Sequence, residues 1–304
     1  MTKRLSSLTF LAMLFIVALA CNRHLASSEP SLREELYNIA DHTPGMVGIA
    51  VVSSDDTITV NNGVHYPMMS VFKLHQALAT ADELSRRHTG LDTILSIRAA
   101  EMDHSTWSPM LKEWGDSDFT ITAGRLVDYA LISSDNNASN LLFSHIVDPL
   151  QTDALVRAVT PDTTFAIRYS EAEMKNDPYL SYLNFSTPLS AALLIRQLFT
   201  ATITDSISQD AIKAALTEVT TGQNRLGSAI AGEDVVFAHK TGSGYRNRSG
   251  ELMAFNDVAY FRLPDGRDYS LAVMIRDFHG SEDEAAEVMA EISGIVYKYF
   301  TDIQ

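Results

Sequence analysis

The chain has few side chains suited to bind a metal ion, because Cys21 is the only cysteine among its 304 residues. A single cysteine cannot form an intramolecular disulfide, and it excludes zinc sites built from several thiolates. None of the nine histidines occurs in H-x-H or H-E-x-x-H spacing. The sequence also has no glycine-rich phosphate-binding loop. We therefore expect no catalytic metal and no cofactor.

Positive charge is also scarce. Lysine and arginine number 23 against 38 aspartates and glutamates, which gives a formal net charge of −15 and a pI near 4.9. This balance argues against nucleic acid and against an anionic membrane surface as partners. An anionic small molecule would need a locally basic pocket. Nothing in the sequence calls for a second subunit, and we expect a monomer.

One apolar run stands near the N-terminus, from Leu8 to Ala20, and it follows two basic residues. The run is too short to span a bilayer comfortably, and it fits the core of a signal peptide over residues 1–20. Two cleavage interpretations stay open. Ala18-Leu19-Ala20 is an A-x-A site, whereas Cys21 stands where a bacterial lipoprotein would be lipidated. Both predict export to the periplasm, with a lipid on Cys21 as the single membrane attachment in the second case.

The order of the predicted elements indicates an α+β fold. Apolar periodicity and turn signals predict terminal helices and five strands, at Ser31–Asp41, Ser281–Phe300, Gly45–Val52, Thr57–Val60, Asp234–His239, Asp257–Leu263 and Tyr269–Arg276. The middle of the chain is mostly helical. This order predicts an α/β sandwich, with an antiparallel sheet flanked by the terminal helices and an inserted all-helical lobe. We place the sheet lobe at residues 21–66 and 216–304 and the helical lobe at 67–215.

Ser70 and Lys73 form the string Ser-x-x-Lys at the start of a predicted buried helix. The serine would sit in the first turn, where free backbone N–H groups and the helix dipole stabilise a developing alkoxide. The lysine lies one turn further on the same face. A serine hydroxyl needs such a nearby base or field to become a nucleophile. Alone, the string also fits an ordinary capped helix start.

Two further strings follow at the middle and at the exit of the helical segment. Ser134-Asp135-Asn136 comes after the helical stretch Ala123–Ile132 and could project a hydroxyl and an amide into a cleft between the lobes. Lys240-Thr241-Gly242-Ser243 ends a predicted strand and could aim a cation and hydroxyls at a carboxylate, with the glycine allowing close backbone approach. Each string alone also fits ordinary loop chemistry.

Jointly and in this order, the three strings are those of class A β-lactamases and penicillin-binding proteins. The chain resembles a class A β-lactamase over essentially its whole exported length. It resembles in particular the CfxA- and PER-type cephalosporinases, through the phrases Tyr66-Pro67-Met68-Met69-Ser70-Val71-Phe72-Lys73, Thr106-Trp107-Ser108-Pro109-Met110 and Ala238-His239-Lys240-Thr241-Gly242-Ser243-Gly244-Tyr245.

The resemblance implies a role for each matching residue. Ser70 would open the lactam ring of a penicillin or cephalosporin and become acylated. Lys73, Ser134 and Lys240 would form a proton-relay and electrostatic network, and which group is the acylation base stays open. The resemblance also implies residues that bind the substrate: Asn136, Thr241, Ser243, the rim aromatic Trp107, and Arg225 as a further cation for the substrate carboxylate.

Hydrolysis of the acyl-enzyme needs a carboxylate that activates water. By resemblance this is Glu171, with Glu173 as the competing candidate nearby. Lys175 stands where the family usually has an asparagine, and Asn176 is the residue that could replace it. Tyr169 stands where an arginine of the loop's ion pair is usual.

Two other functions share the same cleft. A penicillin-binding DD-peptidase would carry all three strings and trap the drug. A non-catalytic drug sensor would bind without turnover. The carboxylate at Glu171 argues against both.

Overall fold

The computed structural model describes residues 30–302, so the predicted signal peptide and Cys21 lie outside the described residues. The helices in this range are α1 (Leu32–His42), α2 (Phe72–Arg86), α3 (Ala123–Ile132), α4 (Asn136–His145), α5 (Pro149–Arg157), α6 (Glu171–Asn176), α7 (Pro188–Thr200), α8 (Ser206–Thr217) and α9 (Glu282–Asp302). The strands are β1 (Met46–Ser53), β2 (Thr57–Val60), β3 (Tyr66–Pro67), β4 (Ile94–Ile97), β5 (Phe119–Thr122), β6 (Phe165–Ala166), β7 (Phe185–Ser186), β8 (Val236–Ser243), β9 (Leu252–Arg262) and β10 (Asp268–Phe278).

Both ends of the chain build one five-stranded sheet, in the order β2-β1-β10-β9-β8 with every neighbouring pair antiparallel. The predicted fold class is thus confirmed. Two smaller sheets, β3-β7-β6 and β4-β5, lie in the helical part. Strand β9 begins at Leu252, five residues before the predicted start, because it pairs with β8 at Phe255 and with β10 at Leu252 itself. Local propensity does not reveal such ladder pairing.

The sheet buries both of its faces, as alternation along β1 shows. Ile49 and Val51 pack into a core with α1 and α9, whereas Ala50 and Val52 pack into the core of the helical part. Successive side chains of a strand point to opposite faces, so one strand serves both cores. The terminal helices therefore cover one face, as the sequence predicts, and the helical segment covers the other.

Helix α7 joins the sheet to the helical part. It falls within the predicted helical lobe, yet it packs on β1, β9 and β10, and its buried residues share one core with the inner face of the sheet. The boundaries drawn from sequence at residues 66 and 215 remain a prediction. Among the described helices, none combines the length and the apolarity needed to cross a membrane.

Helix α2 runs through the middle of the helical part and contacts α3, α4, α5 and α8. The sequence predicts Ser70 in the first turn of this helix, but the helix begins at Phe72, after a 3-10 turn at Met69–Val71. Met69 adopts a φ of 45°, in the left-handed region, which an α-helix does not accommodate. Ser70 consequently lies in a tight turn that feeds directly into α2, instead of in the first α-helical turn.

Candidate active site

A cleft of about 290 Å³ opens where β8 meets the helical part. Its lining includes members of all three sequence strings, together with residues from three other segments of the chain: Met69, Ser70, Trp107, Ser134, Asn136, Glu171, Thr221, Thr241, Ser243, Gly244 and Tyr245. Segments far apart in the chain therefore converge on one site. Lys73 and Lys240 lie just beneath this lining and are fully buried.

Ser70, Lys73 and Glu171 form one hydrogen-bonded set. The Ser70 hydroxyl donates to Glu171 Oε1 over 3.0 Å, and Lys73 Nζ lies 3.0 Å from the same oxygen. The ammonium also donates to the Ser134 carbonyl oxygen at 2.8 Å and to Asn136 Oδ1 at 2.7 Å. Every proton of the buried ammonium thus has an acceptor, as a buried charge requires.

Helix α6 presents Glu171 to this set. Ser170 caps the helix, and its backbone N–H and hydroxyl both bond to the Glu173 carboxylate at 2.8 Å in a capping box. Glu173 is exposed and occupied by the cap, whereas Glu171 is buried and faces Ser70. The geometry therefore distinguishes the two candidate carboxylates: Glu171 faces the serine, and Glu173 does not.

The loop before Glu171 is held by residues that the sequence analysis missed. Fully buried Asn184 accepts the backbone N–H groups of Arg168 at 2.8 Å and Tyr169 at 3.0 Å, and its Nδ2 donates to the Tyr169 carbonyl at 2.7 Å. Asp153 pairs with Arg157 at 2.5 Å, while Arg168 remains 4.0 Å away. These contacts hold the loop in which Tyr169 stands at the position of the usual arginine, and no local sequence signal marks Asn184.

Lys175 does not face Ser70 or Glu171. Its ammonium pairs with the Asp103 carboxylate and contacts the Ser105 hydroxyl, on the segment that leads to Trp107. Asn176 is exposed at the end of α6. Asn176 therefore does not supply the amide that Lys175 replaces.

Asp135 organises the loop that carries Ser134. Its buried carboxylate caps α4 through the Ala138 N–H at 2.9 Å and accepts the Met110 N–H at 2.8 Å and the Ser108 hydroxyl at 2.9 Å. Burial raises the pKa of this carboxyl, and the donated hydrogen bonds oppose that rise. The middle residue of Ser-Asp-Asn is structural, and its capping fixes the two residues on either side.

Lys240 approaches the cleft from β8. Its ammonium donates to Ser134 Oγ and to the Thr241 carbonyl, both at 3.0 Å. Burial lowers its pKa well below the ordinary lysine value, and the charge of Lys73 lowers it further. Ser134 thus connects the two buried lysines, because its carbonyl accepts from one and its hydroxyl from the other.

The far end of the cleft combines hydroxyls with a buried arginine. The Thr241 and Thr221 hydroxyls are 2.6 Å apart. Arg225 donates to Ser243 Oγ at 2.6 Å and to the Asn256 carbonyl at 2.7 Å, and its guanidinium lies 3.6 Å from the centroid of the Phe255 ring. Burial lowers the pKa of Arg225. A cation and three hydroxyls at one end of a cleft are suited to an anionic group.

Trp107 stands at the rim, with 61% of its surface exposed. Its indole Nε1 donates to the Ser133 carbonyl at 2.9 Å, and its own carbonyl accepts the Asn136 N–H at 3.0 Å. One edge of the ring is therefore anchored while its surface is open to solvent, which suits stacking on a bound molecule.

The Ser70 turn is pressed against β8. Asn256, on the neighbouring strand β9, donates to the Pro67 carbonyl at 2.7 Å and to the Met68 carbonyl at 3.1 Å. A Cβ on Gly242 would meet the Met68 carbonyl oxygen at 2.4 Å, so only glycine allows this approach. The close approach at the glycine is predicted from the sequence, whereas no local pattern marks Asn256.

Together these residues supply a serine held by a carboxylate, two buried ammonium groups and a cationic end, which is an arrangement suited to acyl transfer. Within residues 30–302, no set of three or more His, Cys, Asp or Glu side chains is placed to hold a metal ion.

Comparison with known proteins agrees with this chemistry. Residues 31–300 match the Beta-lactamase enzyme family. A β-lactamase of Phocaeicola vulgatus is 44% identical over 88% of this chain and 84% of its own length, and the extended-spectrum β-lactamase PER-1 of Pseudomonas aeruginosa is 29% identical over 90% and 89%. The crystal structure of a class A β-lactamase from Bacteroides cellulosilyticus superposes with a TM-score of 0.83 at 28% identity, over 89% of this chain and 97% of that one.

We expect Asn184→Ala to destabilise the protein by about 2–4 kcal/mol, because it leaves buried backbone groups of the Glu171 loop without partners. Urea unfolding measures the change. Asn140→Ala is the matched control, since the side chain of this asparagine accepts one hydrogen bond, from the Ala172 N–H at 3.1 Å. Equal midpoints for the two variants would show that Asn184 does not hold the loop.

Proposed function

Since this chain belongs to the β-lactamase enzyme family, we propose which of its residues carries out each step of the reaction. The chain is a class A serine β-lactamase, which hydrolyses the β-lactam ring and so confers resistance. The family predicted from the three strings is confirmed. The proposal depends above all on one observation, the shared hydrogen bonding of Ser70, Lys73 and Glu171. It assigns an atom to each proton that moves.

In acylation, the Ser70 oxygen attacks the lactam carbonyl and forms an ester while the ring C–N bond breaks. The serine proton passes to the Glu171–Lys73 pair, whose shared carboxylate oxygen already accepts it. The backbone N–H groups of Ser70 and Ser243 stabilise the oxyanion, a contribution of about 3–4 kcal/mol per donor. Ser134, bonded to Lys240, donates a proton to the leaving nitrogen and is reprotonated from the Glu171–Lys73 pair, so Glu171 can accept a proton again in the acyl-enzyme.

In deacylation, Glu171 removes a proton from a water molecule, and the resulting hydroxide attacks the ester carbonyl. The ester C–O bond breaks, Ser70 recovers its proton and the opened acid leaves. Glu171 suits this role because it is buried, lies 3.0 Å from the Ser70 oxygen that carries the acyl group, and pairs with Lys73. A penicillin-binding DD-peptidase would instead trap the drug at the acyl-enzyme stage.

The substrate is a penicillin or cephalosporin whose carboxylate sits at the cationic end of the cleft. Lys240, Thr241 and Ser243 bind it, and Arg225 adds charge through Ser243 Oγ. On the opposite side, two groups contact the rest of the drug. Asn136 hydrogen-bonds the side-chain amide, and Trp107 stacks on the drug at the rim.

We expect Ser70→Ala to abolish turnover of a chromogenic cephalosporin and Glu171→Ala to acylate and then stall. The first variant lacks the nucleophile, and the second lacks the base for water. Intact-protein mass spectrometry after mixing would show one opened drug on Glu171→Ala and none on Ser70→Ala.

Glu173→Ala is the control, because its carboxylate caps α6 and does not face Ser70. It should turn over the drug without accumulating acyl-enzyme. Loss of the acylation step in Glu171→Ala would contradict the assigned role. A wild-type enzyme that stops after one equivalent would favour a DD-peptidase, and one that forms no adduct and no product would favour a sensor.

The lowered pKa of Lys240 predicts a pH dependence. As pH rises through this lowered value, the ammonium loses its proton and its attraction for the substrate carboxylate. We expect kcat/KM to fall at a pH below the ordinary lysine value of 10.5. In Lys240→Arg the guanidinium keeps its charge, so the fall should move to higher pH by about one unit or more. Profiles of kcat/KM against pH measure this shift, and Lys213→Arg, at a partly exposed lysine of α8, is the control. Superimposable alkaline limbs for wild type and Lys240→Arg would rule out this origin.

We also propose export to the periplasm, supported by the basic residues and the apolar run that precede Cys21. The mature protein should begin at Cys21 under either cleavage interpretation, which its intact mass from periplasmic or membrane fractions measures. An added diacylglyceryl mass that Cys21→Ser removes would identify the lipoprotein. Protein that retains Met1 would contradict export.

A further inference from the structure

Lys175 occupies a position where the family resemblance leads one to expect an asparagine facing the hydrolytic water. It lies four residues after Glu171, on the same face of α6. Its ammonium instead reaches across to the Asp103 carboxylate and the Ser105 hydroxyl. The side chain is 31% exposed and that of Asp103 is 35% exposed, so neither partner is forced into this contact by burial.

The segment that Lys175 contacts is firmly held on its other side. Asn137 accepts the Asp103 N–H at 2.8 Å and donates to the Asp103 carbonyl at 3.0 Å. Asn136 donates to Thr106 Oγ1 at 3.0 Å, next to Trp107. The segment is thus fixed to the start of α4 and to the loop of Ser134, and it can serve as an anchor for α6.

The rest of α6 has few polar attachments to that side of the cleft. The Ala172 N–H donates to Asn140 Oδ1 at 3.1 Å in the first turn, and Met174 packs into the core. Lys175 adds an attachment in the last turn. Its hydrogen bond to Asp103 is the largest of the causes that lower the pKa of that carboxyl to about 2.

After acylation, the position of Glu171 depends more strongly on the attachment of α6 through Lys175. At rest, the Ser70 hydroxyl donates to Glu171 and helps to hold it in place. The acylated serine oxygen carries no proton, so Glu171 then keeps Lys73 as partner and depends more on the placement of α6. A loss of positioning should therefore appear in deacylation and leave acylation almost unchanged.

We propose that Lys175 is a positioning residue for deacylation, which ties α6 to Asp103 and Ser105 so that Glu171 stays aligned with the acyl-enzyme. The proposal rests on the proposed role of Glu171 as general base. Lys175 touches neither the substrate nor the reacting atoms, and it acts through the helix that carries Glu171.

The test compares Lys175→Met, Asp103→Asn and the double variant, with Lys213→Met as matched control. The Lys213 ammonium lies 3.5 Å from the Asp210 carboxylate on the surface of α8, so Lys213→Met removes a comparable surface ion pair. Rapid-quench mass spectrometry follows the decay of the acyl-enzyme, and steady-state kinetics with the same cephalosporin give kcat and KM.

We expect each single variant to slow acyl-enzyme decay about two- to fivefold, as for a partly exposed ion pair. For a drug whose deacylation limits turnover, kcat and KM should fall together while kcat/KM stays within about 1.5-fold, because kcat/KM reports acylation alone. The double variant should be no slower than the singles, since one pair is broken. Lys175→Arg should restore wild-type decay, and Lys213→Met should not change it.

Unchanged decay in Lys175→Met, additive losses in the double variant, or an equal loss in kcat/KM would overturn the proposal. Glu171→Ala measured in parallel separates two kinds of failure. If it accumulates acyl-enzyme while Lys175→Met behaves as wild type, the positioning role is wrong and the general base stands. If it does not accumulate acyl-enzyme, the general base itself is wrong, and the positioning role falls with it.

Discussion

The fully buried ammonium of Lys73 is the constraint on which the site depends. A charge without access to water is tolerated only if acceptors surround it. The three acceptors come from two separate parts of the chain: the Ser134 carbonyl and Asn136 Oδ1 from one, and the Glu171 carboxylate from the other. Satisfying this charge therefore brings α2, the loop before α4 and α6 to fixed positions. The nucleophile, the proton donor and the base are assembled as a consequence.

The cleft is rich in positive charge, although the chain as a whole is negatively charged. The formal net charge is −15, yet Lys73, Lys240 and Arg225 are all buried at or beneath the cleft. Burial lowers the pKa values of Lys240 and Arg225, and Asp257, which His239 Nδ1 approaches at 3.0 Å, raises both. A concentrated positive field in a largely acidic protein directs an anionic drug to one place on the surface.

The sequence predicted the parts of the site that depend on local pattern, and it missed those that depend on tertiary contact. Ser70 and Lys73 lie close together at a helix start, which a spacing rule can detect. Asn184 and Asn256 hold backbone groups far away in the chain, and an isolated buried asparagine has no pattern. The same contrast between local pattern and tertiary contact applies to the secondary structure. Helix α3 has the predicted ends, whereas β9 is longer than predicted because pairing with β8 and β10 extends it.

The hydrogen bond from Ser70 to Glu171 also links structure to the order of the reaction. At rest, the carboxylate accepts from both Ser70 and Lys73, so the buried charges are balanced and the base is occupied. Acylation removes the serine proton, and a position for a donor opens on Glu171 beside the new ester. A water that fills this position meets the base and the ester carbonyl together. Glu171 thus becomes available to a water molecule only after the ester that needs hydrolysis has formed.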